Sequence, residues 1–141
     1  MKVMVLGKAT QRSEAGELGT AEDFAAMDQF NEQLVEAGVV LAADGLQPTS
    51  KGKRVAFEAD GNHRVIDGPF AETKELVAGF WLMQVRSKEE IIEWVRRCPN
   101  PMEGESEIEI RQVFEAEDFG DALTPELRAQ EERLRQSQPK P

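Results

Sequence analysis

The sequence predicts an α+β fold in which an antiparallel sheet carries two helices on one of its faces. Three observations in the 141 residues support this prediction. Two amphipathic stretches show helical spacing, and each begins at a capping residue. Several short runs are apolar or alternate between apolar and polar residues, as strands do. The segments follow the order strand, helix, strand, hairpin, strand, helix, strand, which is a ferredoxin-like plan for one domain.

The first and middle strands are predicted from apolar runs. Lys2 to Leu6 is apolar on both faces and too short for a signal-peptide core, so it predicts a first strand. Residues 8 to 19 are polar and predict a flexible loop. Residues 39 to 43 predict a second strand. Val77 to Val85 is the longest apolar run and predicts the central strand.

Capping residues and stop signals bound both helices. The first helix is predicted over residues 21 to 37, after the capping residue Thr20 and before Gly38. The second begins after Ser87 and ends before Pro99. It carries Cys98, the single cysteine, on its apolar stripe. Cys98 is either a nucleophile or a small core residue, and the stripe favours the core.

Asp60-Gly61 predicts a two-residue hairpin turn between residues 54 to 59 and 62 to 66. The resulting register places Glu58 opposite His63, the only histidine. His63 is then either a general base or metal ligand, or a hairpin side chain paired with Glu58. We favour the paired side chain because a metal site needs several neighbouring ligands.

The last strand is predicted from the strict alternation of Glu107 to Phe114. Ile108 and Ile110 share one face, and Glu109 and Arg111 share the other. We predict a domain over residues 1 to 114. Residues 115 to 141 then form an extension that contains an acidic linker, a short helix opened by Thr124-Pro125, and a disordered tail from residue 138.

The second face of the sheet needs a cover. The first and central strands are apolar on both sides, and each exposed large apolar side chain costs roughly 1.5 to 3 kcal/mol relative to burial. A second copy of the same sheet is the simplest cover. The sequence therefore predicts a homodimer that encloses a barrel-like interior.

The composition disfavours several classes of binding partner. The net charge of −10 disfavours binding to nucleic acid and to anionic membranes. One cysteine precludes an internal disulfide, and no apolar run is long enough to span a membrane, so we expect a cytoplasmic protein. The sequence lacks a glycine-rich phosphate loop and paired metal-ligand spacing, so we expect no cofactor and no metal.

One segment, Asp67-Gly68-Pro69-Phe70-Ala71-Glu72-Thr73-Lys74-Glu75, links the hairpin to the central strand and concentrates charge. Together with Ala43 to Pro48, Gly79-Phe80, Trp94 to Pro99 and Glu109-Ile110-Arg111, it closely resembles the DGPF-domain proteins of the YCII-related family. The resemblance covers residues 1 to 114. It implies a bacterial, cytoplasmic, dimeric α+β barrel without an established reaction. Some relatives are encoded beside, or fused to, extracytoplasmic-function sigma factors.

The wider family includes members with a proposed His-Asp catalytic pair. We do not transfer that pair, because His63 lies on the predicted hairpin and not at a matching position of the motif.

The motif and the last strand supply the candidate catalytic residues. We take Asp67 as a base, Glu75 as a second clustered carboxylate, and Arg111 as the group that holds an anionic or carbonyl oxygen. The alternative for Asp67 is a turn residue that caps backbone amides. For Arg111 the alternative is a salt bridge across the dimer.

The candidate ligand-binding residues are Phe70, Lys74, Trp81 and Glu109. Glu109 shares the salt-bridge alternative with Arg111. Glu72 belongs to the same charged cluster, and we favour a solvated surface role for it.

Two classes of function fit these residues. The first is a cofactor-free acid-base enzyme, of isomerase or lyase type, acting on a small polar or aromatic molecule. The second is a non-catalytic ligand-binding or regulatory dimer, with a sigma factor as a candidate partner. The clustered carboxylates favour the enzyme. The single histidine and the amphipathic arm from Leu123 to Leu134 favour the regulator.

Overall fold

The computed structural model describes residues 1 to 140, which form six strands and four α-helices. The strands are β1 (Lys2–Lys8), β2 (Val40–Gly45), β3 (Lys53–Phe57), β4 (His63–Asp67), β5 (Val77–Gln84) and β6 (Ile108–Gln112). The helices are α1 (Gln11–Glu14), α2 (Ala21–Glu36), α3 (Lys88–Arg97) and α4 (Pro125–Ser137).

Four strands make an antiparallel sheet in the order β2-β5-β1-β6, and β3 pairs with β4 as a separate hairpin. β5 lies inside the sheet between β2 and β1, as its apolar run predicted. This is the predicted ferredoxin-like α+β fold, with the β3–β4 hairpin inserted between the second and third strands of the sheet.

Both long helices pack on one face of the sheet, which confirms the predicted layering. Phe30 and Leu34 of α2 and Ile91 of α3 join the buried side chains of β1 and β5 in one core. Leu34 is 0% exposed. Its truncation to alanine should cost roughly 2 to 5 kcal/mol because the cavity cannot fully collapse.

The ends of α2 follow the predicted signals. Thr20 accepts a hydrogen bond from the Asp23 N–H, and Asp23 in turn accepts one from the Thr20 N–H (2.9 Å), which completes a capping box. Gly38 has a φ of +70°, a conformation that glycine adopts without strain, and the helix ends just before it.

The predicted hairpin register is wrong by one residue. Phe57 lies opposite His63, where Glu58 was expected. The cause is the loop, because the Glu58 N–H donates to the Asn62 carbonyl oxygen (2.8 Å) and closes a three-residue connection. Gly61 ends that connection with a φ of +91°, which three-residue hairpin loops require at this position.

The expected pair of Glu58 with His63 therefore does not form. Glu58 instead accepts a hydrogen bond from Arg64 Nε (3.0 Å). His63 packs edge-on against Phe57, with ring centroids 4.6 Å apart. His63 is exposed on the hairpin, so the paired role that we favoured for it has the wrong partner.

Two segments predicted as loop or linker contain helical turns. The loop from 8 to 19 holds α1, which a reciprocal capping box between Thr10 and Ser13 opens. The acidic linker contains a 3-10 helix, Ala116–Ala122. The terminal helix α4 begins at Pro125 as predicted, and its capping residue is Thr124. The predicted disordered tail includes Pro141, which lies outside the described residues.

Over residues 1 to 140, we find no helix with the length and apolar character needed to cross a membrane.

Candidate functional site

Asp67 lies at the end of the hairpin. It is the last residue of β4, directly opposite Lys53. Its carboxylate forms an ion pair with Lys53 Nζ (2.5 Å), and its side chain is 74% exposed. Water screens such a pair, so it orients the carboxylate and contributes little to stability.

The turn after Asp67 is fastened to the segment around Thr49. The Gly68 N–H donates to the Gly52 carbonyl oxygen (3.0 Å), and the Phe70 N–H donates to Thr49 Oγ1 (3.1 Å). A Cβ on Gly68 would lie 1.7 Å from the Thr49 carbonyl oxygen, so the turn needs glycine here. The Arg54 guanidinium lies 3.7 Å from the centroid of the Phe70 ring, which completes this packing.

Thr49 also connects this turn to α1. The Thr49 N–H and hydroxyl both donate to the Glu14 carboxylate, at 3.1 and 2.5 Å. The same hydroxyl oxygen accepts the hydrogen bond from Phe70. Glu14, Thr49 and Phe70 thus join three distant parts of the sequence.

Lys74 and Glu75 lie in the 3-10 helix Thr73–Glu75, and both side chains are exposed. Lys8 Nζ donates to the Glu75 carbonyl oxygen (3.4 Å), so the backbone of Glu75 makes this contact. Glu72 is exposed just before this helix.

Glu109 and Arg111 lie on β6, on the face of the sheet opposite α2 and α3, which we call the helix-free face. Glu109 is opposite Leu6 and Arg111 is opposite Met4, whereas Ile110 points toward the core. Both charged side chains are exposed. Asp67 and Arg111 therefore lie on different sheets of the chain.

Trp81 lies on the opposite face of the sheet, beneath α2. It is 8% exposed and packs edge-on against Phe30, with ring centroids 6.3 Å apart. Its Nε1–H donates to Asn31 Oδ1 (2.9 Å). The predicted site residues are thus divided among the hairpin with the following turn, the helix-free face and the helix-covered face.

A large groove opens on the helix-covered face, with a volume of about 1000 Å³. One wall is the start of α2, a second is α1 with residues 15 to 19, and a third is the loop after β2. Trp81 and Asn31 both line it. Of the seven predicted site residues, Trp81 contributes to this groove.

The floor of the groove is a row of three glycines across three neighbouring strands. Gly45 of β2 lies opposite Gly79 of β5, which lies opposite Gly7 of β1. All three line the groove. Because they carry no side chains, the backbone of the sheet forms the floor. A Cβ on Gly79 would approach the Asp44 carbonyl oxygen to 3.2 Å, which is a tight contact. A Cβ on Gly45 would meet nothing within 4 Å, and one on Gly7 would approach the nearest atom to 3.6 Å, so packing within the chain does not explain these two glycines.

The wall from α2 presents Phe24, Met27 and Asn31, which are spaced to share one side of the helix. Phe24 and Met27 fit the helical spacing that predicted α2, and neither Asn31 nor the glycines were predicted as site residues. The available signal was glycine in three strand segments, which often marks the close approach of a ligand or another backbone.

Residues 1–117 match the family model of the YCII-related domain. The chain belongs to the YCII-related domain family. The matched range contains the whole sheet, the hairpin and the groove.

A curated relative of this YCII-related protein is an uncharacterised protein of Rhizobium meliloti (strain 1021). The two are 36% identical over 81 residues, which cover 57% of this chain and 64% of the relative. The match thus spans less than two thirds of the relative's length.

Among solved structures, this YCII-related chain is similar to the 5-chloro-2-hydroxyhydroquinone dehydrochlorinase of Burkholderia phenoliruptrix, in complex with 2,5-dihydroxybenzoquinone. The sequence identity is 14% and the TM-score is 0.47, and the alignment covers 84% of this chain and 98% of the other. The activity named for that protein does not transfer to this one at such a level of similarity.

Charges around the groove of the YCII-related domain are mainly acidic. Glu14 and Glu17 line it beside Lys51. The backbone of Asp44 adjoins the floor, but strand alternation turns its side chain to the other face, as for its partner Phe80. Glu17 pairs with Arg12 (2.6 Å), which raises the pKa of the Arg12 guanidinium, and Glu14 is held by Thr49.

Two other sequence candidates lie away from the groove. Burial raises the pKa of the Cys98 thiol to about 11, and its side chain packs against the core. His63 lies on the exposed hairpin. Within residues 1–140 no three or more His, Cys, Asp or Glu residues are grouped so that they could hold a metal ion.

Proposed function

We propose that this YCII-related protein binds a small organic molecule in the groove on the helix-covered face. The observation that carries the proposal is the groove itself, about 1000 Å³ with a side-chain-free floor at Gly7, Gly45 and Gly79. Pockets for small molecules commonly enclose about 300 to 1000 Å³, so the space suits a ligand of modest size.

The glycines of the floor support this proposal because they make the fold less stable than alanines would. Glycine in a strand is less stable than alanine by roughly 0.5 to 1 kcal/mol, because it loses more conformational freedom on folding. Neither Gly7 nor Gly45 has a positive φ, and both leave room for a Cβ, although the register of β1 with β5 shifts just after Gly7. A ligand that lies directly against the backbone of the sheet would explain why glycines occupy these positions despite the loss of stability.

The geometry favours ligand binding over acid-base catalysis at the DGPF turn. Asp67 is exposed and paired with Lys53, outside the residues that line the groove. Turnover by Asp67, Glu75 and Arg111 stays a prediction. The turn supports the groove wall instead, because Phe70 bonds to Thr49 and Thr49 in turn holds Glu14 in that wall.

The test is a thermal-shift screen of small neutral and charged ring compounds, followed by calorimetry on the hits. Gly45→Val should abolish binding by filling the floor, with unfolding temperature unchanged or raised. Ala42→Val is the matched control, because Ala42 lies on the same strand and does not line the groove. Equal binding by wild type and Gly45→Val would refute the proposal.

We also propose that the protein is a homodimer through the helix-free face of its sheet. Met4, Leu6, Phe80 and Leu82 are only half-buried there. Glu109 and Arg111 lie along the same face, and a two-fold copy can pair each of them with its opposite. Sedimentation that shows a monomer at micromolar concentration would overturn this assembly.

A further inference from the structure

Trp81 fixes the orientation of the Asn31 side chain. An indole N–H can only donate a hydrogen bond, so the atom that it contacts must be an acceptor. The contact is made by Asn31 Oδ1, at 2.9 Å from Trp81 Nε1. Trp81 is itself held by Phe30 in an edge-on contact. The amide of Asn31 therefore presents its oxygen to the tryptophan and its nitrogen elsewhere.

The free end of Asn31 is a donor. Asn31 Nδ2 carries two N–H groups, and it donates no hydrogen bond to any of residues 1–140. Among residues 1–140 no buried side-chain nitrogen or oxygen lacks a partner, so this nitrogen is accessible to solvent, and Asn31 lines the groove. A ligand in the groove gains a hydrogen bond here only if it offers an acceptor.

The groove also restricts the shape and charge of that acceptor. The floor at Gly7, Gly45 and Gly79 is bare backbone, which admits a flat molecule. Two glutamates and one lysine line the groove, and the whole chain carries a net charge of −10. These charges repel an anion. A neutral carbonyl oxygen satisfies the donor without that repulsion.

We propose that the groove binds flat, uncharged ring compounds that carry a carbonyl oxygen, and that Asn31 selects them by donating a hydrogen bond from Nδ2. This inference rests on the proposed ligand-binding function of the same groove. Asn31 is thus the specificity-determining residue, and Trp81 positions it.

The experiment uses three probes that differ in one group each. Coumarin is flat and neutral and has a carbonyl, chromene lacks the carbonyl, and coumarin carboxylate adds a negative charge. Wild type should bind coumarin about tenfold more tightly than chromene, which corresponds to one neutral hydrogen bond, and should bind the carboxylate more weakly than coumarin.

Asn31→Asp keeps an oxygen for Trp81 and removes the donor. It should lose about tenfold or more in affinity for coumarin and little for chromene. Gln29→Glu is the matched control, because it makes the same charge change at an exposed position of α2 outside the groove lining. The indole N–H resonance of Trp81 in the NMR spectrum should persist in Asn31→Asp, which shows that the core is intact.

The two levels of the proposal fail differently. Equal affinity of wild type for coumarin and chromene, with both lost in Gly45→Val, would overturn the role of Asn31 and leave the groove as the ligand site. An equal loss of coumarin affinity in Gln29→Glu and Asn31→Asp would also overturn it. If wild type binds none of the probes and no hit from the screen depends on Gly45, both the inference and the proposed function are wrong.

Discussion

Gly68 approaches Thr49 so closely that a Cβ on Gly68 would lie 1.7 Å from the Thr49 carbonyl oxygen. The contact joins the turn after the hairpin to the segment that also anchors α1 through Glu14. The middle of the DGPF motif therefore has a structural role, which is to pack the turn against the Thr49 segment. Gly68 is needed because the Thr49 backbone leaves no room for a Cβ, and the Phe70 N–H donates a hydrogen bond to the Thr49 hydroxyl.

We expect Gly68→Ala to destabilise the protein by roughly 2 to 4 kcal/mol, because backbone must move to admit the methyl group. Urea unfolding followed by circular dichroism measures the change. Gly45→Ala is the control, since the added Cβ meets nothing within 4 Å. Equal stability of Gly68→Ala and wild type would contradict the packing role of this turn.

Thr49→Val should lower the free energy of unfolding by roughly 1 to 3 kcal/mol, because its hydroxyl bonds both Glu14 and Phe70. Thr49→Ser retains the hydroxyl and should recover most of the loss. Denaturant titration of the three proteins compares them directly. A Ser variant as unstable as the Val variant would show that the methyl group matters more than the hydroxyl.

The stability of α2 should depend on pH through Asp23. Hydrogen bonding from the Thr20 N–H, and then from the Thr20 side chain, lowers the pKa of Asp23 from 3.8. The charged form is thus favoured in the folded state, so its contribution is present above pH 3.8 and is lost as the pH falls through the lowered folded pKa. Wild type should lose stability in this acid range relative to Asp23→Asn, and thermal melts between neutral and acid pH test this. A constant difference between the two proteins would argue against the prediction.

Charge reversal tests the proposed dimer. Arg111→Glu places like charges on facing sheets and should weaken association by about tenfold or more, whereas Glu109→Arg with Arg111→Glu should restore it. Sedimentation velocity over a concentration series measures association. Arg96→Glu is the control, because Arg96 lies on α3, on the other side of the sheet. No effect of any of these changes would place the interface elsewhere.

Cys98 should react slowly with alkylating reagents in the folded protein. Burial raises the pKa of its thiol to about 11, and the thiolate is the reactive form. Mass spectrometry after iodoacetamide treatment should show little labelling near neutral pH and rapid labelling after denaturation. Fast labelling of the native protein would show that the thiol is accessible.

The sequence was a good guide to the elements with strong periodicity. The strict alternation of β6 and the stripe of α2 predicted both their positions and their faces, because burial on one side imposes that spacing. The hairpin register could not be derived from Asp60-Gly61, since this pair fits loops of two and of three residues. Only the hydrogen bond between Glu58 and Asn62 distinguishes them.

The groove could not be predicted from the sequence, for a different reason. Candidate sites were sought among charged and aromatic side chains, and this led to Asp67 and Arg111, which lie on separate sheets. The groove is defined instead by where side chains are missing. Gly7, Gly45 and Gly79 are far apart in the chain, and only strand pairing shows that they are neighbours.

The glycine floor also makes the depth of the groove easy to change during evolution. One methyl group at Gly7 or Gly45 would make the space shallower without a clash inside the chain. Descendants of one ancestral sequence could therefore come to accept smaller or larger molecules by single substitutions, while the sheet, the helices and the DGPF turn stay as they are.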